Sequence, residues 1–315
     1  MRGSGWSRSK AQLSALGEAL LAWYGERGRA HLPWRTDRAP YRVVVSEFML
    51  QQTQVERVIP LFERFVTRFP SFAALAGASR ADVVREWRGL GYNSRAIRLH
   101  GLARAVRDEH GGVLPCDPAA LERLPGVGPY TARAIAAFAF DADVVALDTN
   151  VRRIVHRTQF GLEWPPQASG SELDAAAAAL LPAGRGFAFN SALMDLGATL
   201  CTARAPKCLL CPLQRLCLAA PVDAARLAAL AARHPGRRSP QERIAFERTA
   251  RFARGRVVDR LRELAPGERI SLLDLHRELA PRLLHHDEAA LAAVVDKLLR
   301  EGVIESSGDG LRLRA

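Results

Sequence analysis

Four of the five cysteines lie in one short stretch, Cys201, Cys208, Cys211 and Cys217, spaced C-x6-C-x2-C-x5-C. Thiolates this close together ask for a metal centre. A zinc ribbon presents two C-x-x-C knuckles separated by a longer insert, whereas here only Cys208 and Cys211 form a knuckle. Four thiolates on one compact loop suit a cubane [4Fe–4S] cluster better, with buried free cysteines or two disulfides as the plainer alternative. Two carboxylates stand in uncharged, apolar runs: Glu47 in Val43-Val44-Val45-Ser46-Glu47-Phe48-Met49-Leu50, and Asp148 in Val144-Val145-Ala146-Leu147-Asp148-Thr149-Asn150-Val151. Burial raises the pKa of a Glu, which can then deliver a proton near neutral pH, while a second, ionised carboxylate can face a developing oxocarbenium ion. As a pair they describe cleavage of a glycosidic bond; singly, each also fits the N-terminus of a helix.

A third motif, Leu124-Pro125-Gly126-Val127-Gly128-Pro129-Tyr130-Thr131, runs into the apolar stretch Ala132–Phe140. Two glycines flanking a small apolar residue make a tight hairpin. Its backbone N–H groups, with the N-terminus of the helix that follows, can face a phosphate, as a helix-hairpin-helix DNA anchor does. An ordinary helix–helix turn fits a bare G-x-G equally well. Cys116, alone in a Leu-Pro-Cys-Asp-Pro turn, reads as a spare thiol.

The elements that must position these residues are helical nearly throughout. Helical spacing of apolar residues marks Ser7 to Arg27, resumes from Tyr41 to Phe69, and continues in short helices over 72–76, 80–89, 94–110 and 118–124, each closed by Gly or Pro. No strand is expected before residue 300. The polar, breaker-rich segment 234–240 reads as a linker. Beyond it, helices over 250–264, 272–279 and 287–300 and a hairpin of 303–305 with 311–314 suggest a separate small winged-helix domain.

Composition narrows the function. The chain has 315 residues, 48% of them hydrophobic, and a net charge of +12, so it can bury a sizeable core and suits a polyanionic partner. No apolar run is long enough to cross a membrane, and no secretory h-region follows the basic residues at the start, so the expected location is the reducing cytoplasm, at the nucleoid. Positive charge is almost all arginine: the only lysines are Lys10, Lys207 and Lys297.

Together, Pro33-Trp34-Arg35, Ser46-Glu47-Phe48-Met49-Leu50-Gln51-Gln52-Thr53, Gly89-Leu90-Gly91-Tyr92, the Leu124–Gly128 hairpin, Leu147-Asp148-Thr149-Asn150-Val151 and the four-cysteine loop resemble the MutY-type adenine DNA glycosylases of the helix-hairpin-helix superfamily, over residues 7 to 221. The resemblance implies a mainly α fold in which a six-helix barrel (36–145) and a [4Fe–4S] cluster domain (1–35 with 146–233) enclose a cleft for a flipped adenine. The linker and the winged-helix-like domain (241–315) would follow. It implies that Glu47 protonates the adenine at N7, that Asp148 stabilises the sugar cation, and that Tyr130 and Asn150 support the pair. Trp34 and Arg35 would line the pocket, and Gln52, Leu90 and Tyr92 would probe or wedge the duplex, with core packing as the plainer reading of Leu90 and Tyr92. Gly126, Val127 and Gly128 would meet the DNA backbone, and the four cysteines would hold the cluster. The implied partner is mismatched double-stranded DNA, bound by a monomer.

Endonuclease III, a lyase relative, carries lysine where Tyr130 stands, and that amine forms a Schiff base with the sugar. No lysine occurs between Lys10 and Lys207 here, so the expected product is an abasic site in an intact strand. The chain departs from the pattern at Thr149, usually Gly, at Ser191, usually Gln or Glu, and at Asn93, usually a second Tyr. Its C-terminal segment is also too short and too helical for the family's 8-oxoguanine-reading domain. That segment is expected to contact phosphates through Arg248, Arg251, Arg254, Arg256 and Arg260, among others. A thymine or uracil mismatch glycosylase is the alternative enzyme, disfavoured by Glu47, since thymine offers no basic ring nitrogen to protonate. A non-catalytic DNA-binding iron–sulfur protein would leave Glu47 and Asp148 unexplained.

Overall fold

A computed structural model describes residues 8–161, 170–233, 245–265, 267–308 and 310–315. The helices run α1 (Lys10–Arg27), α2 (Pro33–Thr36), α3 (Pro40–Leu50), α4 (Val55–Arg68), α5 (Phe72–Gly77), α6 (Arg80–Glu86), α7 (Ser94–Glu109) and α8 (Pro118–Leu121). They continue with α9 (Pro129–Phe140), α10 (Thr149–Phe160), α11 (Gly170–Ala178), α12 (Gly186–Thr199), α13 (Ala224–Arg233), α14 (Ala250–Arg262), α15 (Leu272–Leu279) and α16 (Glu288–Arg300). None of them is long and apolar enough to cross a membrane. The expected linker, 234–240, lies outside the described residues.

The chain divides into two compact units: Met1–Val43, Pro115–Arg123 and Val127–Arg237 form one, and Val44–Leu114, Leu124–Gly126 and Arg238–Ala315 the other. In the first unit Leu16 and Leu20 of α1 pack with Val151, Ile154 and Val155 of α10 and Phe189, Ala192, Leu193 and Leu196 of α12. Each set recurs at three- and four-residue spacing, the stripe that a helix must hide from water. α1 opens on a capping box in which Ser9 accepts from the Gln12 N–H and the Gln12 side chain accepts from the Ser9 N–H.

In the second unit the C-terminal segment packs against α6. Ala253, Val257, Val258 and Leu261 of α14 share a core with Ala81 and Val84 of α6, with Leu291, Val294 and Leu298 of α16, and with Leu311 and Leu313. Three helices and a three-stranded antiparallel sheet of order β1-β3-β2 make the expected winged-helix arrangement: β1 Ile270–Ser271, β2 Ile304–Ser307 and β3 Gly310–Leu313. Leu311 lies opposite both Ile270 and Ser306, so β1 extends the expected hairpin. That strand escaped the sequence reading because two residues are too few to display a period of two.

Candidate functional site

Glu47 lies in the last turns of α3, 8% exposed, between Val45 and Phe48, which are fully buried. Beyond α3 the chain turns through Gln52, whose side chain is exposed and whose backbone is left-handed, with φ of 57°. A second left-handed turn follows α6 and contains Gly89, Gly91 and Tyr92, the last with φ of 43°. Tyr92 is exposed, whereas Leu90 is buried, only 5% exposed.

Arg95 ties these two turns together. From the first turn of α7 its Nη1 donates to the carbonyls of Phe48 (2.8 Å), Met49 (2.9 Å) and Gln51 (2.6 Å). Its Nη2 donates to Thr53 Oγ1 (3.2 Å) and to the Leu90 and Gly91 carbonyls (2.9 and 3.3 Å). Burial pushes its pKa down to about 10. Arg95 was missed in the sequence, yet it repeats at helical spacing with Leu99, Leu102 and Val106, all buried, so its placement on the inner face of α7 was readable.

Gly126 has φ of 80°, and a Cβ built on it would stand 2.7 Å from Arg98 Cβ and 3.0 Å from Phe48 Cε1, so both backbone and space require glycine. Val127 is buried, and exposed Gly128 N-caps α9 with no side-chain cap and Pro129 in the first turn. The helix therefore presents N–H groups at the hairpin, the arrangement that accepts an anion. Tyr130 sits in that first turn, half-buried.

Asp148 is the N-cap of α10, the plainer role that the sequence left open, and its two oxygens are both engaged. Oδ1 accepts from the Val151 N–H at 2.7 Å and Oδ2 from Asn150 Nδ2 at 3.2 Å. Burial raises its pKa, opposed by the Val151 and Asn150 hydrogen bonds and by the charge of Arg153. Arg153, which the sequence reading missed, donates from Nη2 to Asn150 Oδ1 and to the Gly197 carbonyl, both at 2.9 Å, and from Nε to the Cys201 carbonyl at 2.7 Å. Asp148 is thus oriented by a hydrogen-bonded chain that ends on the cysteine loop.

The four cysteines line one cavity, walled by Leu213 and by Arg157, which donates from Nη1 to Cys201 Sγ at 3.4 Å. Among the described residues no three His, Cys, Asp or Glu side chains gather as the ligands of a metal ion would. Sulfurs around a cubane stand farther apart than ligands around one ion, so an apolar cavity ringed by four thiols fits the cluster. Burial and the neighbouring sulfurs push the Cys211 thiol up to about 12.

Trp34 is buried at 7%. The Arg35 guanidinium does not stand free over a pocket: it grips Asp195 through Nη1 at 2.8 Å and Nη2 at 3.2 Å, and Arg29 Nε adds a third bond to that carboxylate at 2.8 Å. These donors hold the Asp195 carboxyl below its ordinary range against the opposing effect of burial. Asp195 is a lone acid in an apolar helix, the same signal that singled out Glu47 and Asp148. Ser191 is fully buried, and its hydroxyl has no hydrogen-bond partner among the described residues.

Three of the C-terminal arginines expected to meet phosphate are paired with carboxylates. Arg254 pairs with Glu301, Arg256 with Asp259 and Arg260 with Glu278. Glu301 and Glu278 come from outside α14, where a local count of charges could not find them. Arg237, Arg238 and Arg243 lie outside the described residues.

The profile of the HhH-GPD superfamily of base excision DNA repair proteins matches residues 45–177. The adenine DNA glycosylase of Mycolicibacterium smegmatis is 40% identical over 293 residues, 92% of this chain and 93% of its own length. That of Mycobacterium tuberculosis is 44% identical over 249 residues, 77% of each chain. Among solved structures, a thermostable thymine-DNA glycosylase superposes with a TM-score of 0.61 at 29% identity, over 66% of this chain and 96% of its own. Endonuclease III in a non-covalent complex with DNA superposes at 0.57 and 21% identity over 68% of this chain and 97% of its own, a likeness of fold.

Proposed function

Since the chain belongs to the HhH-GPD superfamily and, within it, to the adenine DNA glycosylases of base excision repair, we propose that it excises adenine mispaired with 8-oxoguanine or guanine in double-stranded DNA. Glu47, kept from water among apolar neighbours, delivers a proton to adenine N7. The N-glycosidic bond then breaks with its electron pair leaving on a neutral base. Asp148 faces the positive charge left on the sugar, water adds at C1′, and the water's proton passes to a carboxylate. Free adenine and an abasic site are the products.

The observation that carries this reading is the two-point fixing of Asp148. Val151 N–H and Asn150 Nδ2 orient its carboxylate and favour its charged form against burial. Arg153 in turn holds Asn150. Tyr130, in the first turn of α9, positions the same chemistry, and the α9 N-terminus with Gly126, Val127 and Gly128 takes a phosphate. Gln52 and Tyr92 probe the duplex. Cys201, Cys208, Cys211 and Cys217 would hold a [4Fe–4S] cluster, whose bonds to four sulfurs would staple their loop and offset part of the charge of its thiolates. With no lysine between Lys10 and Lys207, no amine from that span attacks the sugar, so the strand stays intact.

The test is Glu47→Gln, measured on duplexes with adenine opposite 8-oxoguanine, guanine or cytosine and with thymine or uracil opposite guanine. The amide keeps the shape but cannot give the proton, so duplex affinity stays while adenine excision falls below detection. Undiminished adenine excision by this variant, or a wild-type preference for thymine, would overturn the reading.

A further inference from the structure

Helix α14 reaches the duplex-probing turn at two points. Arg251 lays its guanidinium 4.4 Å from the centroid of the Tyr92 ring, while Arg95 approaches the same ring at 5.7 Å. One residue further along the turn, Arg262 Nη2 donates to Asn93 Oδ1 at 3.0 Å, and its Nε and Nη2 donate to the Val84 carbonyl at the end of α6 at 3.1 and 2.9 Å. Asn93 and the Arg262 side chain are both buried, and Asp259 fixes the guanidinium through Nη1 at 2.8 Å. The turn between these contacts is conformationally expensive. Gly89, Gly91 and Tyr92 have φ of 95°, 70° and 43°, and an aromatic residue in the left-handed region persists only where its surroundings impose it. The α14 contacts, with Arg95, supply that imposition.

We propose that α14 is a positioning element for Tyr92: Arg251 from above and Arg262 through Asn93 hold the turn in the left-handed conformation that presents the tyrosine ring. This rests on the reading of Tyr92 as a duplex probe. It gives the C-terminal segment a role in the glycosylase that needs neither lesion recognition nor phosphate contact. Asn93 is central, because its short amide is what reaches the Arg262 guanidinium.

The test compares Arg251→Ala, Arg251→Lys, Tyr92→Ala and the double variant Arg251→Ala/Tyr92→Ala in the full chain. Affinity is measured for a duplex with an uncleavable adenine analogue opposite 8-oxoguanine, across a salt series, with hydrogen exchange of residues 88–94 in the free protein. Loss of a partly desolvated cation–π contact should weaken binding about three- to tenfold in Arg251→Ala. Arg251→Lys should recover part of it, and Arg251→Ala should have no further effect once Tyr92 is gone. The salt slope should stay at the wild-type value and exchange over 88–94 should quicken. Additive losses, or a salt slope smaller by about one unit, would make Arg251 a direct phosphate contact and overturn the proposal. Unchanged exchange would overturn it without reference to DNA. If Tyr92→Ala binds as wild type while exchange still quickens in Arg251→Ala, the reading of Tyr92 as a probe is what has failed, and the positioning role falls with it.

Discussion

Replacing Arg95 by methionine should damage the second unit more than any change at its surface. Methionine fills the inner part of the same buried channel, where Arg95 is only 5% exposed, but ends short of the terminal nitrogens, so the variant keeps the apolar stem and loses the donors. Six acceptors surround two terminal nitrogens that carry two hydrogens each, so about four good bonds are made at a time. Bonds from a charged donor contribute about 1.5–3 kcal/mol apiece, roughly 6–12 kcal/mol in gross. Against this stands the cost of burying the guanidinium, several kcal/mol, which also lowers its pKa to about 10. The difference, about 3–5 kcal/mol, is the expected destabilisation, and it matches what breaking a buried charged network costs elsewhere. Urea unfolding with linear extrapolation measures it, and amide exchange over 51–53 and 89–92 should rise in the same variant. Arg95→Lys keeps the charge without the planar fork and should recover less than half. A loss below about 1 kcal/mol in Arg95→Met would refute the assignment of Arg95 as the tie between the two turns.

Other outcomes follow from the same geometry. Asp148→Asn keeps an equally good N-cap but cannot ionise. Because the folded pKa of Asp148 is raised, its charged form costs stability as pH climbs above the ordinary 3.8, so at pH 7 the variant should melt no lower than wild type while excision is severely impaired. The melting difference should close as pH falls towards 4, and a variant that melts well below wild type at pH 7 would contradict the argument. Gly126→Ala forces a Cβ against Arg98 and Phe48 at a positive φ and should cost about 1–3 kcal/mol in urea unfolding, whereas Gly128→Ala meets open space and should cost a few tenths. The purified protein should be yellow-brown with about four iron and four sulfide per chain, and Cys211→Ser should lose both the colour and the solubility; stoichiometric zinc after anaerobic preparation would remove the cluster from the account.

What the sequence determined by itself was whatever is local or carried by residue type. Helix positions followed from apolar spacing and Gly or Pro stops, as in Ser94–Glu109, expected over 94–110. The hairpin at Gly126 and the cysteine loop were legible because turn chemistry and thiol spacing are properties of a few consecutive residues. Glu47 and Asp148 were visible as charges out of place in apolar runs. Only the tertiary structure decided which partner each buried charge found. Arg35 is taken by Asp195, 160 residues away, Arg153 links Asn150 to the Cys201 carbonyl, and Arg95 gathers carbonyls from two turns. The same holds for the C-terminal helices. Their amphipathic pattern announced an apolar face but not its cover, and Ala81 and Val84 of α6 form part of that cover. Periodicity records that a face is buried, and composition records that charge is plentiful. Which surface covers the face, and which carboxylate meets the arginine, depends on chain segments brought together only when the whole core has formed.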